Sequence, residues 1–143
     1  MSDRIKLWIS RALIGAVLAM NVQSALAFLF NPQRYAPAYE LSGAVGAAAI
    51  QGFGVLFLMW NVPYLIAAWH PRRHRLILMI CIVMQTIGLI GESYILWGLP
   101  AEHTILRRSL LRFIIFDGDG LGALLLALLI IRKQNPGQVQ QKS

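Results

Sequence analysis

Four long apolar runs fix what this chain can become: Leu7 to Phe30, Leu41 to Trp69, Leu76 to Leu99 and Leu110 to Ile131. Each reaches or exceeds the roughly 20 residues a helix needs to cross the hydrocarbon core of a bilayer. A span in lipid has to satisfy its own backbone hydrogen bonds, which leaves helices and closed β-barrels. Barrel strands alternate apolar and polar residues over about ten positions, and these continuous runs do not. Hydrophobic residues make up 57% of the chain and charged ones 13%, against about a quarter charged in a soluble domain. The expected fold is all-α, a polytopic membrane protein with a four-transmembrane-helix bundle over residues 1–133. A polar cytoplasmic tail is expected over 134–143. Pro63, close to Asn61, predicts a kink in the long second span, because proline removes a backbone donor and crowds the preceding turn.

Orientation follows from lysine and arginine. Nine of them fall in the N-terminal segment, the second loop and the C-terminal segment, which four spans place on one side: Arg4, Lys6, Arg11, Arg72, Arg73, Arg75, Arg132, Lys133 and Lys142. Arg34, Arg107, Arg108 and Arg112 fall on the other. The excess puts both termini in the cytoplasm, and the expected location is a bacterial inner membrane. Trp8 and Trp69 then lie at the inner interface and Trp97 at the outer one, as amphipathic rings prefer. Ala25-Leu26-Ala27 after a basic start resembles a signal-peptide end, but Arg11 interrupts the apolar run, and retention is expected. The net charge of +7 is spent on these short loops, so no nucleic-acid partner is expected.

The informative residues are those that lipid rejects. Glu92, Asp117 and Asp119 lie within spans and should face the bundle interior or a partner. Gln85 stands seven residues before Glu92, about two turns, so both share a face with Gly88 between them. Asn21, Gln23 and Ser24 from span one, and Gln51 from span two, fall at the same outer depth. Asp117 and Asp119 are about 200° apart on a regular helix, so either the helix distorts or one carboxylate meets a different partner. Arg112 shares a face with Asp119, and Arg107 and Arg108 are placed to reach Glu92 or Asp117. A structural ion-pair network is one expectation, since a buried carboxylate needs a partner. A site for a ligand or a proton is the other, with Glu92, Asp117, Asp119, Arg112, Gln85, Asn21 and Gln23 as its candidates. Gly118 and Gly122 form a GxxxG, which permits close approach of another helix.

Several chemistries are excluded or unsupported. No histidine lies inside a span, so two axial histidines cannot hold a haem across the membrane. There is no phosphate-binding glycine loop, no Gly-x-Ser-x-Gly elbow, and Cys81 has no second cysteine for thiol chemistry. For a metal site from Glu92, Asp117, Asp119 and Glu102 or His103, Asp-Gly-Asp-Gly lacks the length of a calcium loop and only one histidine falls on that side; no metal and no cofactor are expected.

Arg11-Ala12-Leu13-Ile14-Gly15 early in span one, a glycine-rich second span, and four short spans in 143 residues together resemble the DoxX-like group of small bacterial membrane proteins. The resemblance is one of layout over the whole chain and carries over no functional residue. The first functional expectation is an accessory or scaffolding subunit that packs against itself or another membrane protein. The alternative is a small dimeric proton-coupled transporter using Glu92, and the third is an enzyme on a lipid-soluble substrate, for which no catalytic residue is assigned. The bilayer itself is the one partner every reading shares.

Overall fold

A computed structural model describes residues 2–132. Its four long helices are α1 (Asp3–Phe30), α3 (Gly43–Trp69), α4 (Arg75–Gly98) and α5 (Thr104–Arg132), with a single-turn α2 (Pro32–Tyr35) between the first two. All four long helices have the length and apolar composition to cross a membrane. They run up and down as a bundle in which α1 lies between α3 and α5, and α4 packs on α5 diagonally from α1. The seam between α3 and α4 is the loosest of the four. The end that carries the 70–74 loop, Ser2 and Arg132 is here the terminus end; the other, with segments 31–42 and 99–103, is the far end.

Local chemistry sets the helix limits. The Ser2 hydroxyl accepts from the Ile5 amide at 3.4 Å, satisfying one free donor at the start of α1. Asp3 in that first turn pairs with Lys6 at 3.5 Å and with Arg72 at 3.4 Å, tying α1 to the 70–74 loop. Pro32 opens α2, where its missing N–H costs nothing. The fifth element differs from its apolar run: α5 begins at Thr104, six residues before Leu110. Its first turns are polar and so escape a test for continuous hydrophobicity. The second span was expected to kink at Pro63. α3 runs unbroken from Gly43 to Trp69 with Pro63 inside it, and the Asn61 amide, two residues earlier, donates to the Phe57 carbonyl at 2.6 Å. The polar tail expected over 134–143 lies outside the described residues.

Lipid gives helices little hydrophobic reason to associate, so close backbone approach matters. Gly54 supplies it: a Cβ there would lie 2.8 Å from the Ala25 carbonyl oxygen of α1 and 2.8 Å from Leu29 Cγ. The interior then divides into three layers. Towards the terminus end, Ile14, Val17, Ala67, Leu78, Cys81 and Leu124 form a dry core. Towards the far end, Phe28, Ala36 and Ile50 form a second, ringed by Tyr35, Tyr39, Phe57 and Phe113. Between them lies a polar layer.

The far-end loops are clasped together. Glu40, in the left-handed region at φ 56°, turns its carboxylate to His103 Nδ1 at 2.5 Å and accepts from the Leu106 amide at 3.2 Å. The Ser109 hydroxyl donates to the Ala38 carbonyl at 2.5 Å. His103 holds Glu40 below the usual carboxylate range, and Glu40 holds the His103 imidazole above its ordinary value. The raised histidine contributes stability that is full below about pH 6.5 and is lost as pH rises through its value in the folded protein. The lowered glutamate contributes stability that is full above about pH 4.3 and is lost as pH falls through its folded value. The melting-temperature advantage of wild type over Glu40→Gln is therefore expected to be greatest between about pH 4.5 and 6.5 and to shrink towards pH 8. Thermal unfolding in detergent across that range checks it, and an advantage that does not change with pH contradicts it.

Candidate functional site

The polar layer is built by one hydrogen-bonded relay across three helices. Tyr64 of α3, fully buried, donates its phenolic proton to Gln85 Oε1 at 2.5 Å. The Gln85 amide of α4, 2% exposed, donates to Asp117 Oδ1 of α5 at 2.9 Å. The oxygen end of Gln85 faces a donor and its nitrogen end faces acceptors, so both ends of the amide are used. Two glycines make room. A Cβ on Gly88 would stand 2.7 Å from Asp117 Oδ2, and one on Gly120 would stand 3.0 Å from Gln85 Nε2.

Beside this relay is a cavity of about 200 Å³. Asn21, Asn61, Gln85, Glu92 and Asp117 give it polar walls, and Phe57, Trp60, Phe113 and Phe116 give it aromatic ones. No lysine, arginine or histidine lines it. Two of its polar residues carry a buried oxygen with no hydrogen-bond partner: Glu92 Oε2 and Asn61 Oδ1. Buried polar atoms in folded proteins nearly all find partners, and exceptions at a cavity wall mark a place where something else can bind.

A second chamber of about 260 Å³ adjoins it towards the far end, in the seam of α1 and α5 and under Tyr35 and Tyr39. Phe113 and Phe116 belong to the walls of both. Its polar lining includes Gln23, Ser24 and Arg112.

The candidate residues are thus brought together in part. Asn21, Gln85, Glu92 and Asp117 meet at one cavity, while Gln23 and Arg112 line its neighbour. Asp119 meets neither; α5 stays regular, which carries Asp119 round to the exposed surface of the bundle. The ion-pair network is absent among the described residues: no arginine pairs with Glu92, Asp117 or Asp119. Arg107 turns instead to the end of α4, donating to the Leu99 carbonyl at 2.7 Å and the Leu96 carbonyl at 3.4 Å. The free carbonyls of a helix C-terminus are a closer and less costly partner than a carboxylate two turns down. Gln51 caps the other hairpin, donating to Leu29 O at 3.3 Å. Glu102 and His103 stay in the far-end loop, where His103 is engaged by Glu40. Tyr64, Asn61 and Trp60 were not foreseen as site residues. Asn61 and Tyr64 stand one helical turn apart on a buried face, and that spacing was the available signal.

No protein-family model matches the chain, and no curated protein or solved structure does either. Function has to come from the chemistry of these residues.

That chemistry separates a structural polar group from an unpartnered one. Tyr64→Phe strands the Gln85 oxygen and is expected to cost about 1–3 kcal/mol. Glu92→Gln breaks no hydrogen bond and is expected to leave the melting temperature at or above that of wild type. Unfolding of the two variants in the same detergent checks both, and a Glu92→Gln protein that melts well below wild type would show that the carboxylate is structural.

Proposed function

We propose that this protein binds a small organic cation within the membrane and exchanges it for protons, as a small transporter with Glu92 and Asp117 as its anionic groups. The observation that carries the reading is the buried, unpartnered Glu92 Oε2 of a residue that lines, together with Asp117, a cavity without a basic residue. Two carboxylates attract an ammonium group, and four aromatic rings complement it, because a cation is drawn to the face of an aromatic ring. A proton and an ammonium ion compete for the same carboxylates, so binding one releases the other. With nine of thirteen basic residues at the terminus end and in its flanking segments, the charge rule supports cytoplasmic termini, a bacterial inner-membrane setting, and a cavity in the outer half of the bilayer.

The test is titration of the protein in lipid nanodiscs with phenethylammonium, followed by Trp60 fluorescence and by calorimetry in two buffers of different ionisation enthalpy. Binding is expected, with proton release. Glu92→Gln and Asp117→Asn are each expected to weaken it about ten- to hundredfold, the value of one charge-assisted hydrogen bond. Failure to bind, or equal binding by all three proteins, would overturn the reading.

A second reading, association with another copy as scaffold or dimer, draws on a different surface. Asp119 sits on an exposed face of α5 with Ile115, Leu111 and Leu126, and Gly118 and Gly122 leave open space there. A carboxylate facing acyl chains is costly and favours a protein neighbour, and the glycines let a second helix approach. Gly122→Ile is then expected to reduce the dimer fraction captured by cross-linking in bilayers; an unchanged fraction would count against this face.

A further inference from the structure

The second chamber has a basic residue in its lining, Arg112, which is itself exposed. Arg112 lines the chamber and makes no ion pair or hydrogen bond with any described residue. A guanidinium presents a planar fork of donors matched to a carboxylate. The neighbouring groups do not satisfy it: Ser109 is already spent on the Ala38 and Ile105 carbonyls, and Ser24 on the Met20 carbonyl. On the other side of the shared Phe113 and Phe116 wall, Glu92 also lacks a partner. The two opposite charges therefore flank a common pair of rings and do not meet one another.

Tyr39, over the second chamber, registers both. Burial holds its phenol far above the ordinary tyrosine range, the Glu92 carboxylate pushes it further up, and the Arg112 guanidinium works in the opposite direction.

We propose that the two chambers form one site for a small amphoteric molecule, its ammonium end between Glu92 and Asp117 and its carboxylate end on Arg112. This rests on the cation reading above and adds to it the second charge of the ligand. Arg112 and Asp117 are five residues apart on α5, a rise of about 7.5 Å. A ligand that bridges them carries its two charges several bonds apart and lays an apolar middle against Phe113 and Phe116. Arg112 is then a specificity-determining residue: it separates an amphoteric ligand from a plain amine of the same length.

The experiment compares 6-aminohexanoate with its methyl ester, which keeps the ammonium group and the length and removes the negative charge. Both are titrated into wild type and Arg112→Gln in lipid nanodiscs. The free acid is expected to bind wild type about ten- to hundredfold more tightly than the ester. Arg112→Gln is expected to abolish that difference and leave ester binding unchanged, which also shows that the variant is folded. If the ester binds through Glu92 but the free acid binds no more tightly, the amphoteric inference fails and the cation reading stands. If neither compound binds, both fail.

Discussion

Inside a bilayer, apolar side chains gain little by leaving acyl chains for one another, so the few polar groups and the closest backbone contacts decide how helices register. In this bundle that role falls to Gln85. Its amide is almost wholly buried and accepts a hydrogen bond from Tyr64 on one helix while donating one to Asp117 on another. Rotating any of the three helices by one residue, about 100°, would leave a buried amide, phenol or carboxylate without its partner. An unsatisfied group of that kind costs more in a membrane than in water, because no solvent can compensate. The glycines at 88 and 120 belong to the same arrangement, since a methyl group on either would crowd the Gln85–Asp117 pair.

Once the relay is fixed, the rest of the polar layer has little freedom. Glu92 follows Gln85 by two turns and must share its face, so it meets the cavity but has no donor opposite it. Asn61 is in the same condition at one oxygen, its nitrogen already turned back on its own helix. The layer thus contains two populations. Tyr64, Gln85 and Asp117 Oδ1 satisfy each other and hold the fold; Glu92 Oε2 and the Asn61 oxygen have no partner in the bundle, and Asp117 belongs to the relay while also lining the cavity.

Much of this was legible in the sequence. Runs of apolar residues place the four spans because the bilayer imposes a minimum length. The seven-residue step from Gln85 to Glu92 places them together because helix geometry is rigid, and the same rigidity separates Asp117 from Asp119. The arginines were misplaced for a physical reason. Their long side chains choose among carboxylates, helix ends and water, and the choice depends on loops whose course no periodicity describes. Arg107 found the end of α4. The start of α5 was missed because Thr104 to Ser109 is helical without being apolar. Tyr64 and Asn61 were missed because rotation of α3 about its axis is set by contacts such as Gly54 against Ala25, which only the packed structure displays.

The dry core of Ile14, Leu78, Cys81 and Leu124 has an electrical consequence. It lies in the terminus half of the bundle, is almost wholly apolar, and borders the polar layer at Tyr64. A transmembrane voltage drops mainly across material of low dielectric constant, so most of the field is concentrated in that half. On the transporter reading, a charge entering from the far end would reach the Glu92 cavity before crossing this apolar half. The remaining step, past Leu78 and Leu124, takes most of the roughly 2.3 kcal/mol that each elementary charge gains or loses per 100 mV. A transporter of this build would act as an insulator with a charged well on one side, so that polarising the membrane would act on exit through the apolar half more than on occupation of the well.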